Sequence, residues 1–399
     1  MGAWTRRGLN GSGEERTLRT VRTLRTLGTS TSGTPGTVGT TGALGAIATM
    51  EYRPQLDGLR AVAVAAVAWS HWERPYQFGI PFGTGVHLFY VLSGFLITGI
   101  LLSVREGADR TKGLTSFYIR RALRIFPAFY LTLALAWAAD IPPVRDTVWW
   151  HALYVSNVQI VMSGEWPGAV SHFWSLAVEE QFYLAWPWLI VFAPRRWLGP
   201  AILAAIGCGP VFRYWLATLD YRETLLGVLT PGSLDSLGVG AWLALAARDH
   251  GSEPELAASH DPWSAFRRFS LVAGAVWVGL LIWERLATPQ RLPLPLLSVK
   301  QTLQAMVFGW IVLNASIGFR GIPGRILSAQ PVVYVGRISY GVYLAHGFAG
   351  ALLATIGLSS RTMPEPWRFI VLATVTVAVA AASWHFYEAP INRLKAKFR

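Results

Sequence analysis

Ten stretches of this 399-residue chain are apolar over lengths close to the ~20 residues that a helix needs to cross a bilayer. They lie near 57–73, 85–104, 124–140, 173–193, 199–218, 232–247, 270–287, 302–319, 338–357 and 367–387. In hydrocarbon the backbone has no water to bond, so each run is expected to satisfy itself as a helix. The expected fold is therefore an all-α integral membrane protein of about ten transmembrane helices. The segment 147–163 carries His151, Asn157 and Gln159 and reads as interfacial or re-entrant instead. Composition agrees. Only 14% of residues are charged, against ~25% in soluble domains, so much of the surface must face lipid. The single cysteine, Cys208, excludes an internal disulfide.

Lys and Arg set the orientation. With the N-terminus inside, the cytoplasmic loops hold Arg105, Arg110, Lys112, Arg120, Arg121 and Arg124 among others, whereas the opposite loops hold fewer, Arg145 and Arg213 among them. The bias is about two to one and favours N-in and C-in. The net charge of +13 is thus explained by topology, and no nucleic-acid partner is expected.

Residues 1–49 differ from the rest. They are rich in Thr, Gly and Arg, contain a short TLRT-like repeat, and have few large apolar side chains. Such a segment cannot bury enough surface to offset its chain entropy, and it lacks the apolar core of a signal peptide. It is expected to be a disordered low-complexity leader, or else an artefact of the gene model with translation starting at Met50; residues 50–399 are expected to form the membrane domain.

The first span concentrates the chemistry. Arg60 and His71 are eleven residues apart, about 1100° of helix, so they share a face. They are also roughly 16 Å apart along the axis and cannot touch. Polar residues within a span usually face a protein interior or a water-filled path. Asp57, three residues before Arg60, adds to this face. A neutral imidazole is a natural general base for a hydroxyl near neutral pH.

Five segments together resemble one family: DGLRA (57–61), GTGVHLFYVLSGFLITGILL (83–102), FYIRRALRIFP (117–127), HFWSLAVEEQFYLAWP (172–187) and GRISYGVYLAH (336–346). The chain resembles the acyltransferase-3 family of membrane O-acyltransferases over essentially all of 51–392. The resemblance implies an enzyme of the cell (plasma or inner) membrane that moves an acyl group, usually acetyl, from cytoplasmic acyl-coenzyme A. The acceptor it implies is a hydroxyl of a carbohydrate or glycosylated molecule: a surface polysaccharide, a glycolipid or a macrolide sugar. It implies that His71 is catalytic and that Arg60, Arg121 and Arg124 serve the donor. Some members carry a C-terminal extracytoplasmic hydrolase-like domain. None is expected here after YEAPINRLKAKFR, so the acceptor is expected to be handled by the membrane domain or a partner.

The residues themselves add detail. Arg121 and Arg124, about one turn apart at a cytoplasmic helix start, suit the phosphates of coenzyme A, which guanidinium can bind bidentately. Arg120 reads as ordinary anchoring. Glu179 and Glu180 enter a span as adjacent acids and are candidate catalytic residues, to orient His71 or hold the acceptor. Helix N-terminal placement of acids explains them equally well. Ser175 and Tyr183 of the same block are candidate substrate contacts. So are Ser339, Tyr343 and His346, whose spacings of four and three put them on one face. His87 could share the site. Asp235, alone in its span, is expected to be buried and partnered. No metal-ligand spacing stands out, and no metal is expected. His71 could act as a general base or carry the acyl group itself. The rival reading is a transporter or flippase, which would consume no thioester. Mass spectrometry of the native N-terminus is expected to find a chain starting near Met50; one starting near Met1 would overturn that boundary.

Overall fold

The computed structural model describes residues 52–72, 82–251, 263–286, 292–364 and 367–398. The leader 1–49, the Met50 start, Arg74, His260 and Arg291 lie outside the described residues. The described residues are helical, with no strand among them.

The principal helices are α1 (Pro54–Trp72), α2 (Gly85–Glu106), α3 (Arg110–Ala138), α4 (Val144–Ala152), α5 (Ser156–Ser163), α6 (Phe173–Phe192), α7 (Arg195–Thr218) and α8 (Thr230–Gly251). They continue as α9 (Ser264–Leu286), α10 (Leu294–Ile317), α11 (Gly321–Ser328), α12 (Gln330–Arg337), α13 (Ser339–Ala345), α14 (Ala349–Thr355), α15 (Trp367–Ser383) and α16 (Ala389–Arg393). Local chemistry sets several boundaries. Asp109 caps α3 by accepting the Lys112 amide at 2.9 Å. Gly164 ends α5 in the left-handed region, φ +68°, where a Cβ would be strained.

Among the described residues, five helices are long and apolar enough to cross a membrane: α2, α7, α9, α10, and α15 with its continuation to Phe398. A sixth is the pair α12 with α13–α14, bent by 62°, if counted as one span. On length and composition, five or six of the ten expected spans are thus found among the described residues. α1, α3, α6 and α8 fall outside that set, and these are the helices that carry Asp57 and Arg60, the arginines at 120, 121 and 124, Glu179 and Glu180, and Asp235. The expected span 338–357 is also interrupted, by a tight turn at His346–Phe348. α4 and α5, of 9 and 8 residues, rise only about 13 and 12 Å, too little to cross. The chain is a multi-pass helical membrane protein.

α1 is held from two sides. Gly85 of α2 faces the Ala63 carbonyl at 2.5 Å from where a Cβ would stand, and Gly336 of α12 lies against the Asp57 carbonyl. α2 in turn crosses α8 at Gly94, against the Leu237 carbonyl, and at Gly240, against the Val91 carbonyl. Side chains at these positions would occupy space already filled by backbone, so small residues allow the close crossing.

Two sequence expectations are settled here. Asp235 is buried and partnered: its Oδ2 lies 2.7 Å from Arg213 Nη2. Arg213, expected in an outside loop, is instead 2% exposed within α7 and also donates to the Ser298 carbonyl at 2.9 Å. A lone acid inside an apolar bundle needs its counter-ion there, so this arginine has no part in the loop tally.

Gly240→Val is expected to destabilise the protein by about 1–3 kcal/mol or more, read as a lowered thermal midpoint in detergent. Gly279→Val, at a position where an added Cβ meets nothing within 4 Å, is the control and should change little.

Candidate functional site

The polar residues of the bundle gather around two cavities. The first, of 400 Å³, is lined by Arg60 of α1, Arg121 and Arg124 of α3, Glu179 and Glu180 of α6, and Lys395 near the C-terminus, with Ser93, Ser175, Tyr183 and Ser339 on its walls. The second, of 660 Å³, is lined by His71 and Trp72 at the end of α1, His172 and Trp174 at the start of α6, His346, and Trp166. Val86 and Tyr343 line both. The two cavities thus sit end to end along α1, Arg60 on one and His71 on the other. The spacing read from the sequence, one face and about three turns, places these residues in separate chambers.

In the arginine cavity the cations and acids are interleaved. Ser93 Oγ donates to Glu179 Oε1 at 2.5 Å, and Tyr183 donates to Ser93 at 3.0 Å. Arg121 lies over the Tyr183 ring at 4.1 Å, a cation–π contact, and its Nε is buried without a hydrogen-bond partner among the described residues. Arg124 donates to the Arg337 carbonyl at 3.0 Å and lies 5.0 Å from the Trp384 ring. Arg60 pairs with Asp57 at 2.6 Å, one turn earlier on the same helix. Arg120 is exposed and absent from the cavity wall. Four cations line the wall against two carboxylates, and a third carboxylate, Asp57, is taken by Arg60, which still leaves this chamber with positive charge and with donors, Arg121 Nε among them, for an anionic ligand.

In the histidine cavity three imidazoles cluster. His71 Nδ1 lies 2.9 Å from His346 Nε2, with ring centroids 5.0 Å apart. His346 Nδ1 lies 2.6 Å from the Tyr343 carbonyl, and His172 packs 4.4 Å from the His346 ring. Trp72 Nε1 donates to the His346 carbonyl at 3.1 Å, so the end of α1 grips this turn twice. Trp166 and Trp174 meet edge to face at 6.4 Å, forming an aromatic corner.

Between the chambers stands Tyr343. Its hydroxyl lies 2.5 Å from Ser175 Oγ and donates to the His172 carbonyl at 3.1 Å, while Phe89 packs edge-on at 6.0 Å.

The sequence candidates therefore divide. Arg60, Arg121, Arg124, Glu179, Glu180, Ser175, Tyr183 and Ser339 meet in one chamber, His71 and His346 in the other, and Tyr343 joins them. Glu179 and Glu180 are on the wall of the arginine chamber, and the partner at hydrogen-bond distance from His71 Nδ1 is His346 Nε2 rather than either acid. His87 lines neither chamber; its Nδ1 lies 3.1 Å from Gln304 Oε1 on α10. Sequence reasoning passed over His172, Trp166, Val86 and Lys395; His172, for one, packs against His346 from a distant part of the chain. Among the described residues no group of His, Cys, Asp and Glu could hold a metal ion.

The acyltransferase-3 family model, described as an acyltransferase domain, matches residues 53–385. The chain is 28% identical over 369 residues to "Peptidoglycan O-acetyltransferase OatA" of Listeria monocytogenes, covering 86% of this chain and 56% of that one. It is 29% identical over 389 residues to "Putative peptidoglycan O-acetyltransferase YrhL" of Bacillus subtilis, covering 86% of this chain and 55% of that one. The chain thus spans about half the length of these curated relatives. No solved structure matches it.

Proposed function

The chain belongs to the acyltransferase-3 family, and from that premise we propose that it transfers an acyl group, acetyl in the first instance, from cytoplasmic acyl-coenzyme A to a hydroxyl of a carbohydrate acceptor. The observation that carries this reading is the pair of chambers along α1, one rich in cations and the other in imidazoles, sharing Val86 and Tyr343. The arginine chamber faces the cytoplasm, in keeping with the Lys/Arg bias, and the protein lies in the cell membrane. The relatives, named as an established and a putative peptidoglycan O-acetyltransferase, point to a cell-wall glycan as the acceptor class.

The residues present fit such a donor. Arg121, with its buried Nε, and Arg124, Arg60 and Lys395 supply the positive wall that phosphates require. A pantetheine arm is long enough to follow the roughly 16 Å of α1 between Arg60 and His71. Tyr343, standing between the chambers, is the side chain the arm must pass. In the histidine chamber His71 takes the proton of the acceptor hydroxyl, and the oxygen attacks the thioester carbonyl carbon. Alternatively His71 accepts the acyl group and passes it on; both routes use the same imidazole. Trp166 and Trp174 offer apolar faces to a pyranose, and Ser70 and Ser171 on the same wall offer hydroxyls to it. Glu179 and Glu180, beside Arg121, set the charge of the donor chamber.

His71→Ala is expected to lower thiol release from acetyl-coenzyme A by roughly 10²–10⁴-fold, the scale of general acid–base catalysis, with the protein still folded by thermal midpoint. Arg121→Gln and Arg124→Gln are each expected to raise KM for the donor by about tenfold, the equivalent of ~1.4 kcal/mol of binding. Near-full activity in His71→Ala would overturn this role of His71, and a purified wild type that moves a glycan across vesicles without consuming thioester would overturn the reading in favour of transport.

A further inference from the structure

The histidine chamber carries more information than the presence of His71. The Tyr343 carbonyl oxygen can only accept, and His346 Nδ1 lies 2.6 Å from it. An unprotonated Nδ1 there would set two lone pairs against each other, so this nitrogen carries a proton and donates. Doubly protonating His346 would put a full charge on a residue 1% exposed, against the rings of His71 and His172. Its Nε2 is therefore an acceptor. That nitrogen lies 2.9 Å from His71 Nδ1, which must be the donor. A neutral His71 then carries its lone pair on Nε2.

We infer that His346 is a positioning residue that fixes the tautomer of His71, so that Nε2 is the atom that reacts. The inference rests on the proposed acyl transfer and names the atom that performs it. The chain of bonds is built from the backbone outwards. Tyr343 belongs to α13, whose hydroxyl anchors to Ser175 and to the His172 carbonyl fix where its own carbonyl points. That carbonyl orients His346, and His346 orients His71. Trp72, next to His71, returns a bond to the His346 carbonyl at 3.1 Å, which holds the two elements in register.

The same chain explains the chemistry in balanced form. His71 Nε2 accepts the proton of the acceptor hydroxyl as the oxygen bonds to the carbonyl carbon. The carbon–sulfur bond breaks, and the departing thiolate takes the proton from Nε2, leaving an ester and a free thiol. Throughout, His71 Nδ1–H stays bonded to His346 Nε2, which shares the positive charge that His71 carries between the two proton transfers. This resembles, in logic, the orientation of a base by a third group in hydrolytic triads, with imidazole in the place of carboxylate.

The test is ¹⁵N NMR of the full chain labelled at histidine, in lipid nanodiscs at about pH 8, above the ordinary imidazole range. His71→Gln assigns the resonance. The expected result is a His71 ring protonated at Nδ1 and not at Nε2, and His346→Phe should return it towards the tautomer mixture of imidazole in solution. Thiol release from acetyl-coenzyme A supplies the second readout. His346→Phe should lower kcat by roughly 10²-fold with little change in KM, whereas His346→Gln, whose amide oxygen can accept in place of Nε2, should recover a large part of the rate. A wild-type His71 protonated at Nε2, or a His346→Phe variant with unchanged kcat, overturns the inference. Retained transfer in His71→Ala likewise overturns it, whereas a wild type that releases no thiol from acetyl-coenzyme A would instead overturn the functional reading beneath it.

Discussion

Polar side chains inside an apolar bundle must find their partners there, because lipid offers none. The rest of this structure follows from that requirement. Asp57 is answered by Arg60 one turn on, Asp235 by Arg213 from the neighbouring helix, and Glu179 by Ser93. His71 is answered by His346. The last three tie two segments together and fix which face of a helix turns inward. What remains after the structural pairs are satisfied is the lining of two chambers, one dominated by guanidinium and the other by imidazole.

Close helix crossings make those pairings reachable. Glycines at 94 and 240 let α2 and α8 approach until backbone meets backbone, and Gly336 does the same between α12 and α1. α1 can therefore present Arg60 to one chamber and His71 to the other without bending. The bend is taken up elsewhere, in the 62° break between α12 and α13 and in the turn at His346–Phe348. That turn places His346 at the end of α1, where a straight helix would have carried the chain past it.

The division of polar residues among the helices also bears on the count of spans. Helices that face lipid over much of their surface, such as α9 and α15, pass a test of length and apolarity. Those that carry the chamber walls, α1, α3 and α6, do not, because their inward faces are polar. α2, which also lines both chambers, passes because its wall residues there are mostly apolar.

Much was legible from the sequence. Apolar length gave the helical membrane class, since a backbone in hydrocarbon has few alternatives. The motifs gave the family, and helix periodicity put Arg60 and His71 on one face but at separate heights, because that depends only on residue number and helix rise. What the sequence could not supply were pairings across long stretches of chain. His71 and His346 are 275 residues apart, Arg213 and Asp235 lie on different helices, and Ser175 meets Tyr343 across 168 residues. No local pattern encodes those distances. Arg213 looked like a loop cation and His87 like a site residue, and packing sent each to a different partner. Only the folded bundle decided that Glu179 and Glu180 belong with the arginines, and that an imidazole, not a carboxylate, holds the Nδ1 proton of His71. Tertiary contacts set those outcomes because a side chain's charge and hydrogen-bonding state depend on its neighbours in space.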